Sequence, residues 1–167
     1  PRASEQTEPM IPTSDEFQGK LSLAWQWQAN PRQAWYAFTP AGLRLFAAQA
    51  PSLFMAGQFL SQLMQSFRFS MEVRLTLHSS SDTDCAGIAV MGYQYHYLAL
   101  CPGEIRLMRG LAKERSRFVP TDVREAELES RPYANDIAYF RLEVSDGSVC
   151  FFFRKDGKAW QPLGGEV

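Results

Sequence analysis

Alternation with a period of two is the feature that most constrains this chain. Over residues 69–78 the odd positions are Phe69, Met71, Val73, Leu75 and Leu77, and the even ones are Ser70, Glu72, Arg74, Thr76 and His78. A β-strand points successive side chains to opposite faces, so this segment reads as a strand with one dry face and one wet one. Residues 139–145 repeat the pattern, with Phe140, Leu142 and Val144 set against Arg141, Glu143 and Ser145. Leu43 and Leu45 flank Arg44 in the same way. Three further runs, 85–91, 93–101 and 149–153, are bulky almost throughout and read as strands covered on both faces. Turn pairs separate the runs: Ala41-Gly42, Ser81-Asp82, Pro102-Gly103, Asp146-Gly147 and Asp156-Gly157. An Asp-Gly pair between two strand patterns is a hairpin signal. Helical periodicity is weak, and residues 51–64 read as a loop with at most one short turn, followed by a strand. About a dozen short strands at this spacing predict an all-β fold, a two-sheet antiparallel sandwich of the jelly-roll type.

Length and composition agree with a single sandwich. The chain has 167 residues, 46% hydrophobic, 21% charged and 13% aromatic, enough to bury a core. Residues 1–13 are polar and proline-rich, and are expected to be a linker or the remnant of an upstream domain. The sandwich is expected over 14–167. A further strand begins at Gly164-Gly165-Glu166-Val167, so the sandwich is expected to want a strand or two more. A net charge of -1 without a basic run argues against nucleic acid as a partner. No apolar run approaches the roughly 20 residues of a membrane-spanning helix. Cys85, Cys101 and Cys150 sit among apolar residues and have no metal-ligand spacing. The expectation is three buried thiols, with one disulfide as the alternative.

Several segments resemble the carboxy-terminal domain of family-43 glycoside hydrolases. They are Ser14-Asp15-Glu16-Phe17, then Leu21, Leu23 and Trp25-Gln26-Trp27-Gln28 with Asn30-Pro31. Trp35 and Gly42-Leu43-Arg44-Leu45 follow, then Ala86-Gly87-Ile88-Ala89-Val90 running into residues 93–98. The last are Phe152-Phe153, Asp156-Gly157, Trp160 and Leu163-Gly164. The resemblance implies a concanavalin A-like sandwich of the β-xylosidase and α-L-arabinofuranosidase type. In such enzymes catalysis belongs to a five-bladed β-propeller, which this chain lacks. An accessory domain of a xylan- or arabinan-degrading enzyme is therefore implied, with the catalytic propeller as partner and a periplasmic or secreted bacterial setting.

The chain's own residues show no catalytic pair. Glycoside hydrolysis needs two positioned carboxylates, and sandwich hydrolases of the laminarinase type carry theirs as Glu-x-Asp-x-x-Glu on one strand. That string is absent. Glu125, Glu127 and Glu129 alternate on one expected strand face and read as the solvated face of an edge strand. Of two histidines, His78 closes a strand on its polar face and His96 reads as structural. No cofactor is expected. A structural Ca²⁺ is the alternative, at Asp15 and Glu16 or at Asp82 and Asp84.

Aromatic residues and amides supply the candidate sugar contacts. Trp25 and Trp27 share one strand face and read as core, which leaves Gln26 and Gln28 on the other face. Tyr93, Tyr95 and Tyr97 alternate likewise. A xylan or arabinoxylan oligosaccharide would stack its C–H faces on rings and give its hydroxyls to amides. The candidates for that role are Gln26, Gln28, Tyr95, His96 and Tyr97. Two readings compete with the accessory domain: a free-standing carbohydrate-binding module for xylose-containing polymers, and an independent sandwich hydrolase.

Overall fold

The computed structural model describes residues 14–64, 66–114 and 120–167, so the expected linker lies outside the described residues. Among these, twelve strands follow one another: β1 (Gln26–Trp27), β2 (Tyr36–Thr39), β3 (Gly42–Leu45), β4 (Leu60–Ser61), β5 (Arg68–Thr76) and β6 (Ala86–Val90), then β7 (Gln94–Cys101), β8 (Glu104–Glu114), β9 (Pro120–Pro132), β10 (Ile137–Ser145), β11 (Ser148–Arg154) and β12 (Gln161–Leu163). Single 3-10 turns occupy Gln33–Trp35 and Leu53–Met55. The second of these falls in the segment read as a loop with one short turn. The described residues divide into two compact units, one of 14–48 and 57–63, the other of 49–56 and 64–167.

The second unit is the sandwich. One sheet runs β12-β11-β10-β5, the other β6-β7-β8-β9, and every pairing in both is antiparallel. The chain leaves the first sheet after β5, lays down the whole second sheet as a meander, and returns with β10 beside β5. Alternation fixes which faces meet. Phe140, Leu142 and Val144 are buried on β10, and Val149, Phe151 and Phe153 on β11. Ile88, Leu98, Leu100, Ile105 and Leu107 join them from the other sheet in one cluster. Phe69, Met71, Val73 and Leu75 of β5 pack against that cluster as expected, though only partly buried. Each large side chain wholly buried there contributes roughly 1.5–3 kcal/mol.

Hairpin chemistry sets the register. Asp146 and Gly147 both take positive φ, 51° and 96°, between β10 and β11. Two successive left-handed residues make the turn whose twist matches the flanking strands, and Asp-Gly is suited to it. Residues 164–167 continue along β11, because Val167 and Val149 exchange both backbone hydrogen bonds, at 2.9 and 3.1 Å.

The first unit holds two short ribbons, β1 with β4 and β2 with β3. Rings fill the space between its strands. Trp27 lies 5.2 Å from Tyr36 and 6.0 Å from Trp35, and Tyr36 meets Phe38 edge-on at 5.7 Å.

One expectation is corrected here. Cys85 and Cys101 form a disulfide and only Cys150 is free. The register explains it: Ala86 pairs with Leu100, so Cys85 falls opposite Cys101. Their Cα atoms lie 4.5 Å apart, the spacing of directly opposed residues in a non-hydrogen-bonded antiparallel pair. The bridge closes a loop with a sequence separation of 16, for which chain entropy gives roughly 3 kcal/mol. Replacing both cysteines by serine should lower the unfolding free energy in urea by about 2–4 kcal/mol. An unchanged midpoint would show that the two sulfurs are not joined.

Candidate functional site

The outer face of the β6-β7-β8-β9 sheet carries a polar cluster centred on Glu125. Even-numbered Leu98 and Leu100 of β7 point into the core, so Tyr95 and Tyr97 point outward. Opposite Tyr95 stands Gly110 of β8. A Cβ at that position would fall inside the Tyr95 ring, so the glycine makes the seat for it. The rings of Tyr95 and Tyr97 stack at 6.2 Å with an interplanar angle of 16°, and Phe54 from the 3-10 turn lies 6.0 Å from Tyr95.

Glu125 of β9 binds this cluster together. Its Oε1 accepts the Tyr95 hydroxyl at 2.6 Å and the Leu53 backbone N–H at 2.8 Å, and its Oε2 accepts the Tyr97 hydroxyl at 3.0 Å. A carboxylate with three donors holds a loop, a strand and a sheet edge at once. Burial raises the pKa of both tyrosines first, and the Glu125 charge and hydrogen bonds raise them further. Tyr133 is also raised by burial.

The other two glutamates are separately committed. Glu127 pairs with Arg106 at 3.7 Å on the same outer face. Glu129 does not stay on that face. The ladder passes from Met108↔Glu127 to Leu107↔Glu129, so Leu128 is an extra residue and the strand bulges there. Leu107 is core, and Glu129 beside it accepts the Gly164 N–H at 2.8 Å and pairs with Arg131 at 2.6 Å. The solvated face expected for these three residues is thus corrected at Glu125 by its three donors and at Glu129 by the bulge.

The candidate sugar contacts fall into two sets. Gln26 and Gln28, both exposed, belong to the first unit, whereas Tyr95, His96 and Tyr97 belong to the second. Tyr95 is only 1% exposed and His96 only 8%. Tyr97 is half-buried, and its hydroxyl is held by Glu125. Burial and then the neighbouring Arg109 charge push the His96 imidazole below its usual pKa. Trp25 and Trp27 are both half-buried, as their reading as core required in part. The Trp25 indole N–H donates to Asp15 Oδ2 at 2.8 Å.

The loop acids have partners within the chain. Asp15 Oδ1 accepts the Phe17 N–H at 2.7 Å. Asp84 Oδ2 accepts the Ser80 N–H, the Ser80 hydroxyl and the Ser81 N–H at 2.7, 3.0 and 3.1 Å. The Ser80 N–H bond is the chief reason the Asp84 pKa lies below the ordinary range.

A feature that the sequence reading missed is a cavity of about 560 Å³ at one end of the sandwich. It is lined from the end of β9, the end of β11 and β12, by Arg131, Tyr133, Phe153, Lys155, Gln161 and Pro162 among others. Three separated chain segments build it, so no local pattern announces it.

Two outcomes test the Glu125 cluster. Glu125→Ala leaves two hydroxyls and a backbone N–H to find other acceptors, and should cost roughly 2–4 kcal/mol in urea unfolding; a loss under about 0.5 kcal/mol would mean the cluster is ornamental. The second outcome concerns pH. Folding favours protonated Tyr95, Tyr97 and Tyr133, so their contribution is complete below about pH 10, the unfolded value, and is lost as pH rises through the higher folded values. Absorbance at 295 nm should therefore show a late ionisation phase that merges with alkaline unfolding. Tyr97→Phe should remove amplitude from that late phase and not from the early one.

Comparison with known proteins places this geometry. Residues 14–167 match the beta xylosidase C-terminal concanavalin A-like domain. Among solved structures, the xylan beta-1,4-xylosidase of Bacillus halodurans aligns with a TM-score of 0.80 at 18% identity, over 100% of this chain and 33% of its own. The bifunctional GH43-CE protein of Bacteroides eggerthii gives 0.76 at 22% identity, over 91% of this chain and 22% of its own. The GH43 protein BlXynB of Bacillus licheniformis gives 0.74 at 18%, over 90% and 29%. This chain thus spans about a third or less of the length of those proteins. No curated protein matches it. The likeness to solved structures establishes the shared fold, and the match across 14–167 establishes that the chain belongs to the family of beta xylosidase C-terminal concanavalin A-like domains.

Proposed function

We propose that this chain is a non-catalytic accessory domain of a xylan- or arabinan-degrading glycoside hydrolase, which packs on a catalytic β-propeller and helps hold its shape. The observation that carries the reading is exposed apolar surface. Met64 and Phe67, both in the sandwich unit, are 61% and 85% exposed. Side chains of this size left in water mark a surface meant to be covered. Family membership supports a catalytic propeller as that partner, since a xylan beta-1,4-xylosidase shares this fold and this chain covers a third of its length.

Commitment of the carboxylates supports a non-catalytic role. Glu125 is saturated by donors, Glu127 pairs with Arg106, and Glu129 serves Gly164 and Arg131. None of the three is left as a proton donor facing a base across a groove, which hydrolysis requires. The reading as a free-standing carbohydrate-binding module at Gln26, Gln28, Tyr95, His96 and Tyr97 has less support. Burial of Tyr95 and His96 denies a sugar the open ring faces that stacking needs. A metal-free domain is part of the same proposal, because Asp15 and Asp84 already have backbone and side-chain donors.

Three measurements check these points. Mixed with the separately expressed propeller of its parent enzyme, the chain should co-elute with it and raise its melting temperature. Phe67→Ser with Met64→Ser should abolish both effects, and a propeller equally stable and unassociated in the presence of the wild-type chain would refute the proposal. Alone, the chain should release no nitrophenol from aryl xylosides or arabinofuranosides above background; turnover that vanishes with one Glu or Asp substitution would refute its non-catalytic character. Dialysis against chelator should leave the melting temperature of the chain unchanged, and a drop restored by Ca²⁺ would refute the metal-free reading.

A further inference from the structure

We infer that the free edge of β5 is an interface at which a second copy of this chain adds its own β5 antiparallel, giving a homodimer with one sheet running through both copies. β5 closes the sheet β12-β11-β10-β5 and pairs with β10 alone. The Leu77 N–H donates to the Asp136 carbonyl at 2.8 Å, and the Phe67 carbonyl accepts the Asp146 N–H at 3.0 Å, so the odd residues aim their backbone at β10. The ladder between these two bonds has no register shift. The even residues Ser70, Glu72, Arg74 and Thr76 therefore aim their N–H and C=O groups the other way. Among the described residues, no backbone group meets them there. The core-facing side chains show the same gap. Phe140 and Leu142 of β10 are 0% and 1% exposed, whereas Val73 and Met71 opposite them are only partly buried.

A long, flat edge strand pairs with another chain unless something blocks it. The other three edges are each shorter or interrupted: β9 carries its bulge and Pro132, β12 has three residues with Pro162 among them, and β6 has five. β5 has nine residues, no proline and no charge on its core face. The charges on its outer face alternate in sign, so they complement a second copy. In an antiparallel pair centred on Val73, Glu72 stands opposite Arg74 of the partner subunit and Ser70 opposite Thr76 of the partner subunit, and two-fold symmetry repeats both contacts. These even residues form the hydrogen-bonded pairs, each exchanging two backbone bonds. On the core face Val73 meets its own counterpart and Met71 meets Leu75 of the partner subunit, so partly buried apolar side chains cover one another. A centre at Glu72 or at Arg74 would set that residue against its own like charge. A centre at Ser70 draws on Arg68, already paired with Asp146, and leaves Arg74 beyond the ladder. The two charges are available for the pairing: Glu72 receives Arg141 through Oε1, and among the described residues Arg74 has no carboxylate within ion-pair distance. Backbone bonds and apolar contact supply the affinity, and the exposed charges set the register. A net charge of -1 offers little repulsion between copies.

This inference is independent of the accessory-domain reading, and the chain alone tests it. Sedimentation of the wild-type chain over a concentration series should pass from 18.9 kDa to twice that mass. Arg74→Glu sets Glu72 against a glutamate at both symmetric contacts, and Glu72→Arg sets Arg74 against an arginine. Each should weaken self-association at least about tenfold. Mixed in equal amounts, the two variants should form a heterodimer, because every contact then joins opposite charges. Arg74 and Glu72 are both exposed, so both variants should keep the wild-type circular dichroism. Ser70→Pro removes an outward N–H and leaves the bonds to β10 in place, so it should abolish the dimer without unfolding the chain. Amide exchange at residues 70, 72, 74 and 76 should slow as the concentration rises. A chain monomeric at every concentration would overturn the inference. So would a dimer that survives both charge variants and the proline, folded variants that stay apart when mixed, or unchanged exchange at those four amides. A chain monomeric alone whose association with its propeller is lost in Arg74→Glu would also overturn it, and would give the edge to the propeller instead.

Discussion

The sandwich depends on one long-range pairing, that of β5 with β10. Nine residue pairs run from Thr76↔Ile137 to Arg68↔Ser145, and the entire second sheet lies between the two strands in the chain. Without this ladder, neither sheet has its opposing apolar face, because β10 carries Phe140, Leu142 and Val144 to the centre of the core. Alternation makes the pairing specific: a slip of one residue would turn Phe140 to water and Arg141 inward. Arg68 with Asp146 at one end and Glu72 with Arg141 in the middle mark the same register with charge. Pairing across so much chain costs loop-closure entropy before any contact offsets it, so folding of this unit is governed by topology more than by local propensity.

Glu125 shows how a catalytic-looking residue becomes structural. A row of glutamates on a sandwich strand invites comparison with glycosidase carboxylates. Catalytic carboxyl groups need freedom to exchange a proton with substrate. Here both oxygens of Glu125 are occupied by donors whose own positions are fixed, Tyr95 by the absent side chain of Gly110 and Leu53 by its 3-10 turn. The carboxylate thereby pins residues 49–56 to the sheet to which β9 belongs.

What could be read from the sequence was whatever repeats with period two. Phe69 to Leu75 on β5 and Phe140 to Val144 on β10 face inward as alternation requires, and Asp146-Gly147 turns between strands as its chemistry requires. What could not be read depends on register between strands or on breaks in the period. Cys85 and Cys101 meet only because Ala86 pairs with Leu100. Tyr95 is buried because β8 offers Gly110 opposite it, a fact of pairing and not of local pattern. The cavity around Lys155 and Tyr133 is assembled from three chain segments whose meeting no periodicity encodes. Family resemblance reached the fold directly, yet it carried no information on these pairings.

The bulge at Leu128 gives β9 two personalities along one strand. On one side of it Glu125 and Glu127 look outward; on the other, Glu129 reaches toward the core edge to hold Gly164. The strand's phase is therefore a shared resource of two separate jobs. Deleting the single residue 128 would restore an unbroken alternation and look conservative on paper. It would instead force a choice, because only one half of the strand can keep its facing. Either the Tyr95–Tyr97 cluster loses its carboxylate or the turn after β12 loses its acceptor. The two ends of β9 are thus independent in side chain but coupled in length through residue 128.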